Sequence, residues 1–302
     1  SRIAELVRAL NERFARRYVS ISLPSLRVDT FSVELARQVQ QVRKSGLTFA
    51  PEAGSQRLRD VINKCVTEDD LLQAAEAAFS CGWQRLKLYF MIGLPTEEDA
   101  DVVAIADLVR SVLSLARRTL GRSGYGRLRL AVSANAVVPK PHTPFQWTGQ
   151  APGQVLSARR RLLRDQLSQP RVQLSFSDPG QSALEAALAR GDRTLGPVIL
   201  SAYCAGATYD SWADHFRLEL WQQAFAQHGL DLADLATRSL PPHDPLPWDV
   251  VDIGVTKEFL LRELQSALRG LTTPDCRLAS CHDCGLGCPG GTRSGAHPGG
   301  RP

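Results

Sequence analysis

The chain has 302 residues, 43% of them hydrophobic, and a formal net charge of +5 at pH 7. That length is enough to bury a large core in one domain or in two smaller ones. No apolar run approaches the roughly 20 residues of a membrane-spanning helix, and the modest charge is spread along the chain. The composition therefore argues against a membrane protein and against a strongly basic nucleic-acid surface.

Strand patterns alternate with helix patterns up to about residue 180, after a helix predicted at the very start. Strand patterns cover residues 18–23, 46–50, 88–92, 127–134 and 172–176, and helix patterns cover 31–42, 56–63, 67–81, 102–113 and 154–167. Thr67, with Asp70 three residues later, is typical of a capping box. The alternation predicts parallel βα units and therefore a barrel or part of one, with a doubly wound sheet as the alternative.

One of these strand–turn–helix units carries a candidate binding turn. The uninterrupted apolar run Leu88–Ile92 is typical of a parallel strand that is buried on both faces. Gly93 then allows a sharp turn or the close approach of a flat ligand. Thr96 is predicted to cap the next helix, with Asp99 in the capping-box position. Ligands of α/β folds collect at the carboxyl ends of such strands, although a plain β-to-α turn is the alternative reading.

Beyond residue 179 the chain is predicted to be helical. Helix patterns cover 182–190, 194–205, 211–228 and 257–269, and a proline-rich linker covers 241–248. A small basic cluster lies upstream in the predicted helix at 154–167, at Arg159, Arg160, Arg161 and Arg164. A solvated helix face is predicted there rather than a nucleic-acid surface.

The seven cysteines divide into two groups. Four lie close together near the carboxyl end, at Cys276, Cys281, Cys284 and Cys288. Four thiolates suit tetrahedral zinc or an iron–sulfur cluster, and His282 is an alternative ligand. The other three, Cys65, Cys81 and Cys204, are predicted to lie in the core. Clustered thiols without a secretory signal favour metal binding in a reducing cytoplasm over disulfides.

Four segments resemble, in order, the later strands of the radical S-adenosylmethionine (SAM) superfamily. They are residues 22–29, 49–55, 89–97 and 138–147, and weaker matches follow at 188–193 and 246–249. The nearest branch often carries an N-terminal cobalamin-binding domain. The resemblance covers about residues 1–180, and it implies an α/β fold, a partial (βα) barrel of the radical SAM type. Such a barrel splits SAM reductively and makes a 5′-deoxyadenosyl radical.

The family's Cys-x3-Cys-x2-Cys motif, which binds a [4Fe-4S] cluster, does not occur in this sequence. We therefore expect a fragment that lacks the first strands and is inactive alone, its cluster ligands lying outside this chain. A degenerate protein without the activity is the alternative. The expected domains are a partial barrel at residues 1–178, a helical extension at 179–270 and a Cys-rich metal-binding tail at 271–302.

The resemblance also implies roles for residues at the strand ends. Glu52 and Ser55 are expected to contact SAM, and a helix N-terminal carboxylate is the alternative role of Glu52. Gly93 and Leu94 are expected to approach the adenine through backbone and apolar contact. Arg27 is expected to pair with the SAM carboxylate or a substrate anion, or else to form an ordinary ion pair.

Two further candidates come from the Pro-rich loop at 138–147. Related enzymes contact substrate or SAM from that loop, which makes Lys140 and His142 the catalytic candidates; a structural or exposed histidine is the alternative. Lys64 is a weaker candidate for carboxylate binding, with a solvated lysine as the favoured reading.

The implied cofactors are SAM, the [4Fe-4S] cluster, a second iron–sulfur cluster or zinc at the tail, and cobalamin in the full-length protein. The expected partners are an unidentified substrate, with RNA as one class left open, and an electron donor such as flavodoxin or ferredoxin; no membrane is expected. The outcome of the radical, whether methylation, methylthiolation or rearrangement, stays open. Two other classes compete: a partial-barrel hydrolase or lyase with structural zinc, and a non-catalytic barrel scaffold whose zinc tail and Arg cluster bind RNA.

Overall fold

The computed structural model describes residues 3–14, 17, 19 and 46–287. Helix α1 (Ile3–Phe14) confirms the helix predicted at the start of the chain. The helix predicted at 31–42, and the strand predicted at 18–23 apart from Val19, lie outside the described residues.

Strands and helices alternate through the first part of the described chain. The strands are β1 (Leu47–Glu52), β2 (Arg85–Ile92), β3 (Arg129–Ala136) and β4 (Val172–Ser175), and the helices between them are α2 (Gln56–Val61), α3 (Glu68–Ser80), α4 (Asp99–Arg127) and α5 (Gly153–Gln166). Within the described residues the strands form a parallel sheet in the order β1-β2-β3-β4. The α/β fold and the parallel βα units are therefore confirmed, and the arrangement is consistent with a partial radical SAM barrel.

Strand β2 buries one of its faces. The side chains of Leu86, Leu88, Phe90 and Ile92 are at most 2% exposed. Tyr89 and Met91, on the opposite face, are partly exposed. The prediction of burial on both faces was therefore wrong, because the second face of the sheet also carries polar side chains such as Asn135 on β3.

Of the two N-caps predicted for α3 and α4, the first is confirmed and the second was wrong. Thr67 and Asp70 form the predicted capping box of α3. Helix α4 begins later than expected, because Glu98 is its N-cap and pairs with Asp101. Thr96 has a positive φ, whereas the N-cap position requires extended backbone, so Thr96 belongs to the preceding turn.

The chain divides into two compact units. One contains residues 1–137 and 153–177, and the other contains residues 138–152 and 178–302. The second unit is helical as predicted beyond residue 179: its helices are α6 (Pro179–Arg190), α7 (Leu195–Cys204), α8 (Leu218–Gln227), α9 (Leu232–Thr237) and α10 (Lys257–Leu268). Helix α8 begins well after the start predicted at 211, and α9 was not predicted.

Two apolar clusters stabilise the second unit. One packs Trp221 and Phe225 of α8 against α6, α7 and α9. The other is formed by Trp147, Trp248 and residues of α10. The predicted core position of the three dispersed cysteines was wrong: Cys65 and Cys204 are exposed and Cys81 is partly buried, because all three lie at or beyond helix ends. Among the described residues, no helix has both the length and the apolar character needed to cross a membrane.

A tight contact in the first unit predicts that alanine substitutions at two glycines differ in their effect on stability. A Cβ on Gly54 would lie 2.4 Å from the carbonyl oxygen of Asp101 and 2.4 Å from the backbone nitrogen of Ile105. Gly126, near the end of α4, has no atom within 4 Å of the same position. Gly54→Ala should therefore lower the free energy of unfolding by about 1–3 kcal/mol, whereas Gly126→Ala should leave it equal or slightly higher. Urea unfolding of both variants measures this, and equal stabilities would contradict the packing of this turn on α4.

Candidate functional site

Strand β1 ends in a distorted segment that presents Glu52. The register between β1 and β2 shifts between Phe49 and Glu52, as in a β-bulge. Glu52 has a φ of 70°. That left-handed conformation is uncommon for any residue with a side chain. Its carboxylate accepts a hydrogen bond from Nζ of Lys64 at 3.2 Å, and both side chains are partly exposed. Bulges and strained residues of this kind cluster at functional sites, where they redirect a side chain.

The turn after Glu52 is fixed by Ser55 and Asp101. The Ser55 hydroxyl accepts a hydrogen bond from the backbone N–H of Leu58 at 3.1 Å, as the N-cap of α2, and donates to the carboxylate of Asp101. Asp101 also accepts from the N–H of Glu98 and from Arg57. Burial acts to raise the pKa of Asp101, but these donors outweigh burial and lower it. Ser55 thus already uses its donor within the protein, and its contact with SAM stays a prediction.

A buried arginine clamps the same turn. Arg59 donates to the carbonyl oxygens of Ala53 at 3.1 Å and Gly54 at 2.8 Å, and to Oε1 of Gln56 at 3.0 Å. The residue is 3% exposed, and burial lowers the pKa of its guanidinium. Because these contacts satisfy carbonyls that face away from solvent, the turn has a defined shape before any ligand arrives.

The turn after β2 is closed by a buried carboxylate. Gly93 has a φ of 81°, and its N–H donates to Oε2 of Glu97 at 2.6 Å. Such a positive φ favours glycine. The N–H of Glu97 in turn donates to the carbonyl oxygen of Leu94 at 3.1 Å. Leu94 is 5% exposed. The described turn therefore offers Gly93, rather than the Leu94 side chain, at its surface, and the adenine contact stays a prediction for both.

Arg159 holds Glu97 in place from helix α5. Its Nη1 donates to Oε2 of Glu97 at 2.5 Å, and its Nη2 donates to the Glu97 carbonyl oxygen at 2.7 Å. The two side chains are 12% and 1% exposed. Burial raises the pKa of Glu97 to about 7, although Gly93 and Arg159 act in the opposite direction. The predicted solvated face was wrong for Arg159, and also for Arg160, which is buried and stacks over Phe176.

A third strand contributes a polar pair that the sequence did not predict. Nδ2 of Asn135 on β3 donates to the hydroxyl of Tyr89 on β2 at 2.8 Å. Asn135 is paired with Met91, one residue pair from the end of β3, and Glu52 is paired with Phe90. The carboxyl ends of three neighbouring strands therefore carry a carboxylate, an amide and a phenol. A polar residue within an apolar strand pattern is the signal that could have identified Asn135. That signal is weak, because the local sequence does not distinguish Asn135 from a surface asparagine.

Lys140 and His142 lie in the second unit. Lys140 forms an ion pair with Glu185 of α6. His142 has a positive φ, and its backbone N–H donates to Oε1 of the buried Gln146 at 3.0 Å. The His142 side chain lines a cavity of about 240 Å³ together with Asp249 and Lys257, which are 3.0 Å apart. Their catalytic role stays a prediction.

The remaining predicted residues are placed only in part. Arg27 and Cys288 lie outside the described residues. Cys276 and Cys281 are exposed and Cys284 is partly buried. Within the described part of the chain, no three His, Cys, Asp or Glu side chains are grouped closely enough to hold a metal ion.

The described residues of the first unit can be compared with the groups that SAM and the [4Fe-4S] cluster require. Its strand ends present hydrogen-bonding groups and a glycine turn, which suit a nucleoside-containing ligand such as SAM. Its described cysteines are Cys65 and Cys81, which do not form a three-cysteine cluster site. The described residues therefore fit SAM but do not fit the [4Fe-4S] cluster.

Burial of Glu97 predicts how stability depends on pH. Its pKa in the folded chain, about 7, lies above the ordinary value of 4.5. Between these pH values the folded state holds a proton that the unfolded state has released. The free energy of unfolding should therefore fall as pH rises through this window, by about 3 kcal/mol from this group.

Glu97→Gln should remove that fall, because the amide has no proton to lose. Urea unfolding at pH 5 and pH 8 measures the difference, with Glu76→Gln as the control at an exposed carboxylate of α3. If Glu97→Gln keeps the pH dependence of the wild type, Glu97 is not the group responsible.

Comparison with known proteins gives two matches. The family model of the radical SAM superfamily matches residues 1–109. The uncharacterized protein MJ0966 of Methanocaldococcus jannaschii is 33% identical over 183 residues, which are 60% of this chain and 37% of the relative. The chain thus spans little more than a third of the length of the curated relative that it matches. The chain is therefore similar to the radical SAM superfamily over residues 1–109.

Proposed function

We propose that the first unit binds SAM at the carboxyl ends of β1, β2 and β3, as part of a radical SAM enzyme. The observation that carries the proposal is the Gly93 turn, which Glu97 and Arg159 hold in shape beside the polar ends of the neighbouring strands. A turn held in this way can accept a flat base without reorganising, which lowers the cost of binding. The superfamily match over residues 1–109 supports the choice of ligand.

Each residue has a distinct task in this proposal. Glu52 accepts hydrogen bonds from the ribose hydroxyls, and Lys64 releases that carboxylate when the ligand arrives. The Gly93 backbone lies against the adenine. The amide of Asn135, oriented by Tyr89, hydrogen-bonds a polar group of the ligand. Ser55 serves the site by keeping the turn after β1 attached to α4.

The reaction needs parts that this sequence does not contain. In the superfamily SAM supplies a 5′-deoxyadenosyl radical, and we propose that the cluster ligands required for its formation lie outside this chain. The matched residues make up 37% of the relative, whose remaining length is enough to contain such a segment. The same proposal includes cobalamin in the full-length protein and a second iron–sulfur cluster or zinc at the tail. It also includes a flavodoxin- or ferredoxin-like electron donor and a cytoplasmic location. Methyl transfer and methylthiolation are the candidate outcomes, with RNA among the candidate substrates.

The Arg cluster gives little support to the competing RNA-binding scaffold. Arg159 is held by Glu97, and Arg160 is buried and stacks over Phe176, which leaves Arg161 and Arg164 as the exposed members of the cluster. Guanidinium groups engaged in this way serve packing within the first unit. A phosphate backbone would need them free and exposed.

Two substitutions test the SAM site. Gly93→Val places a β-branched side chain at a positive φ and should abolish SAM binding, because only glycine adopts that conformation without strain. Glu52→Gln keeps one acceptor oxygen and should weaken binding by about tenfold, a loss of roughly 1.4 kcal/mol. Isothermal titration calorimetry with SAM measures both, and circular dichroism verifies the fold.

Asp107→Asn is the matched control, since Asp107 also pairs with a basic side chain, Arg110, but is not among the residues proposed to bind SAM. It should bind SAM as the wild type does. Wild-type affinity in both site variants would remove these residues from the site, and equal losses in all three variants would point to a general loss of structure.

A further inference from the structure

A cavity lies at the amino ends of the strands in the first unit, at the opposite end of the sheet from Glu52 and Gly93. It has a volume of about 630 Å³. Residues 46–48, 85–87, 129–131 and 170–173 line it. Strand β2 has eight residues, so at about 3.3 Å per residue this cavity lies roughly 20 Å from the candidate SAM site. The cavity is therefore a separate site.

The lining of this cavity is strongly basic. Arg85, Lys87, Arg129 and Arg171 contribute four positive charges. The lining residues, all of which the structure describes, include no carboxylate. Arg85, Lys87 and Arg129 are exposed, and Arg171 is partly exposed. The cationic groups are thus accessible to an anion from solvent.

The register of the sheet places these cations side by side. Arg85 of β2 is paired with Arg129 of β3. The carbonyl oxygen of Arg171 accepts from the N–H of Leu130 at 3.0 Å, so Arg171 lies beside Arg129. Lys87 shares a face with Arg85, because residues two apart along a strand point to the same side. Neighbouring strands are only about 4.8 Å apart, and like charges on paired residues destabilise a sheet.

Contacts within the protein orient part of this charge without neutralising it. Arg129 donates to the carbonyl oxygen of Leu128 at 3.0 Å. Arg171 donates to the carbonyl oxygen of Tyr125 at 2.9 Å and stacks over the Tyr125 ring. Among the ion pairs of the described residues, none involves a basic side chain of this cavity. Four like charges in one concavity cost stability unless an anion neutralises them, which argues for a ligand.

We propose that this cavity binds the diphosphate group of a small molecule. Its volume lies within the range usual for small-molecule sites. The three guanidinium groups match phosphoryl oxygens in bidentate geometry, and Lys87 adds a compact charge. A diphosphate carries more negative charge and more acceptor oxygens than a dicarboxylate, so it neutralises four cations better. Thr48 and Gln173 supply a hydroxyl and an amide to the rest of the ligand.

The same chemistry has two sources, free pyrophosphate and a nucleoside diphosphate. Isothermal titration calorimetry of the complete chain at low ionic strength distinguishes them, with inorganic pyrophosphate, ADP, succinate and a single-stranded RNA as separate probes. We expect one site per chain for a diphosphate, and binding of succinate at least tenfold weaker. Tighter binding of ADP than of pyrophosphate identifies the nucleotide as the source, and the reverse order identifies the free anion. The proposal is overturned if neither diphosphate binds, if succinate binds equally well, or if RNA alone binds.

A pair of double variants tests the residues. Arg85→Gln/Arg129→Gln should weaken pyrophosphate binding at least tenfold, because it removes two paired cations from the lining. The matched control, Arg117→Gln/Arg118→Gln, removes the same charge from two exposed arginines of α4 that do not line the cavity. It should bind pyrophosphate as the wild type does. Equal losses in both double variants would reduce the effect to net charge and overturn the site.

Thermal unfolding separates a binding role from a structural one. Without ligand, Arg85→Gln/Arg129→Gln should unfold at the wild-type temperature or above it, because repulsion between paired strands is relieved. Pyrophosphate should raise the unfolding temperature of the wild type but not that of the variant. If the variant unfolds at a lower temperature, Lys87→Gln decides instead, since it keeps both arginines. Wild-type affinity of Lys87→Gln for pyrophosphate would then overturn the proposal.

Discussion

The buried carboxylate of Glu97 determines the shape of the candidate site. It is 1% exposed, and its raised pKa reflects the loss of almost all of its hydration. A buried charge is costly unless it is paired and hydrogen-bonded. Two donors compensate for that loss: the backbone N–H of Gly93 and the guanidinium of Arg159. Because both converge on the same oxygen, the turn after β2 and the helix α5 are tied to one point. A glycine turn that would otherwise sample many conformations is thereby held in one.

A second carboxylate, that of Asp101 at the amino terminus of α4, fixes the turn after β1 as Glu97 fixes the turn after β2. Asp101, in the first turn of α4, accepts from Ser55 and Arg57, while Gly54 packs on the α4 backbone itself. Carboxylates are favoured at this end of a helix by its dipole. The amino terminus of α4 thus connects the ends of two neighbouring strands.

The sequence predicted features that depend on local pattern. The βα alternation, the parallel sheet and the capping box at Thr67 all follow from periodicity and from residues three apart. The pairing of Glu97 with Arg159 could not be predicted in this way, because the partners lie far apart in the sequence. The N-cap at Thr96 was wrong for a related reason: Glu97 folds back onto Gly93 and extends the turn. The bulge at Glu52 depends on the register between β1 and β2, which no local pattern contains.

Burial distinguishes the ion pair that maintains the site from the one that a ligand can replace. Glu97 and Arg159 are largely buried, and breaking such a pair costs about 3–5 kcal/mol because one charge is left without a partner. Glu52 and Lys64 are both partly exposed, and a pair of that kind contributes about 0–1 kcal/mol. A ligand hydroxyl can therefore displace Lys64 from Glu52 at small cost, with water solvating the freed ammonium. The same comparison supports the proposal that Glu52, in a strained conformation at the end of β1, binds the ligand and that Glu97 shapes the turn.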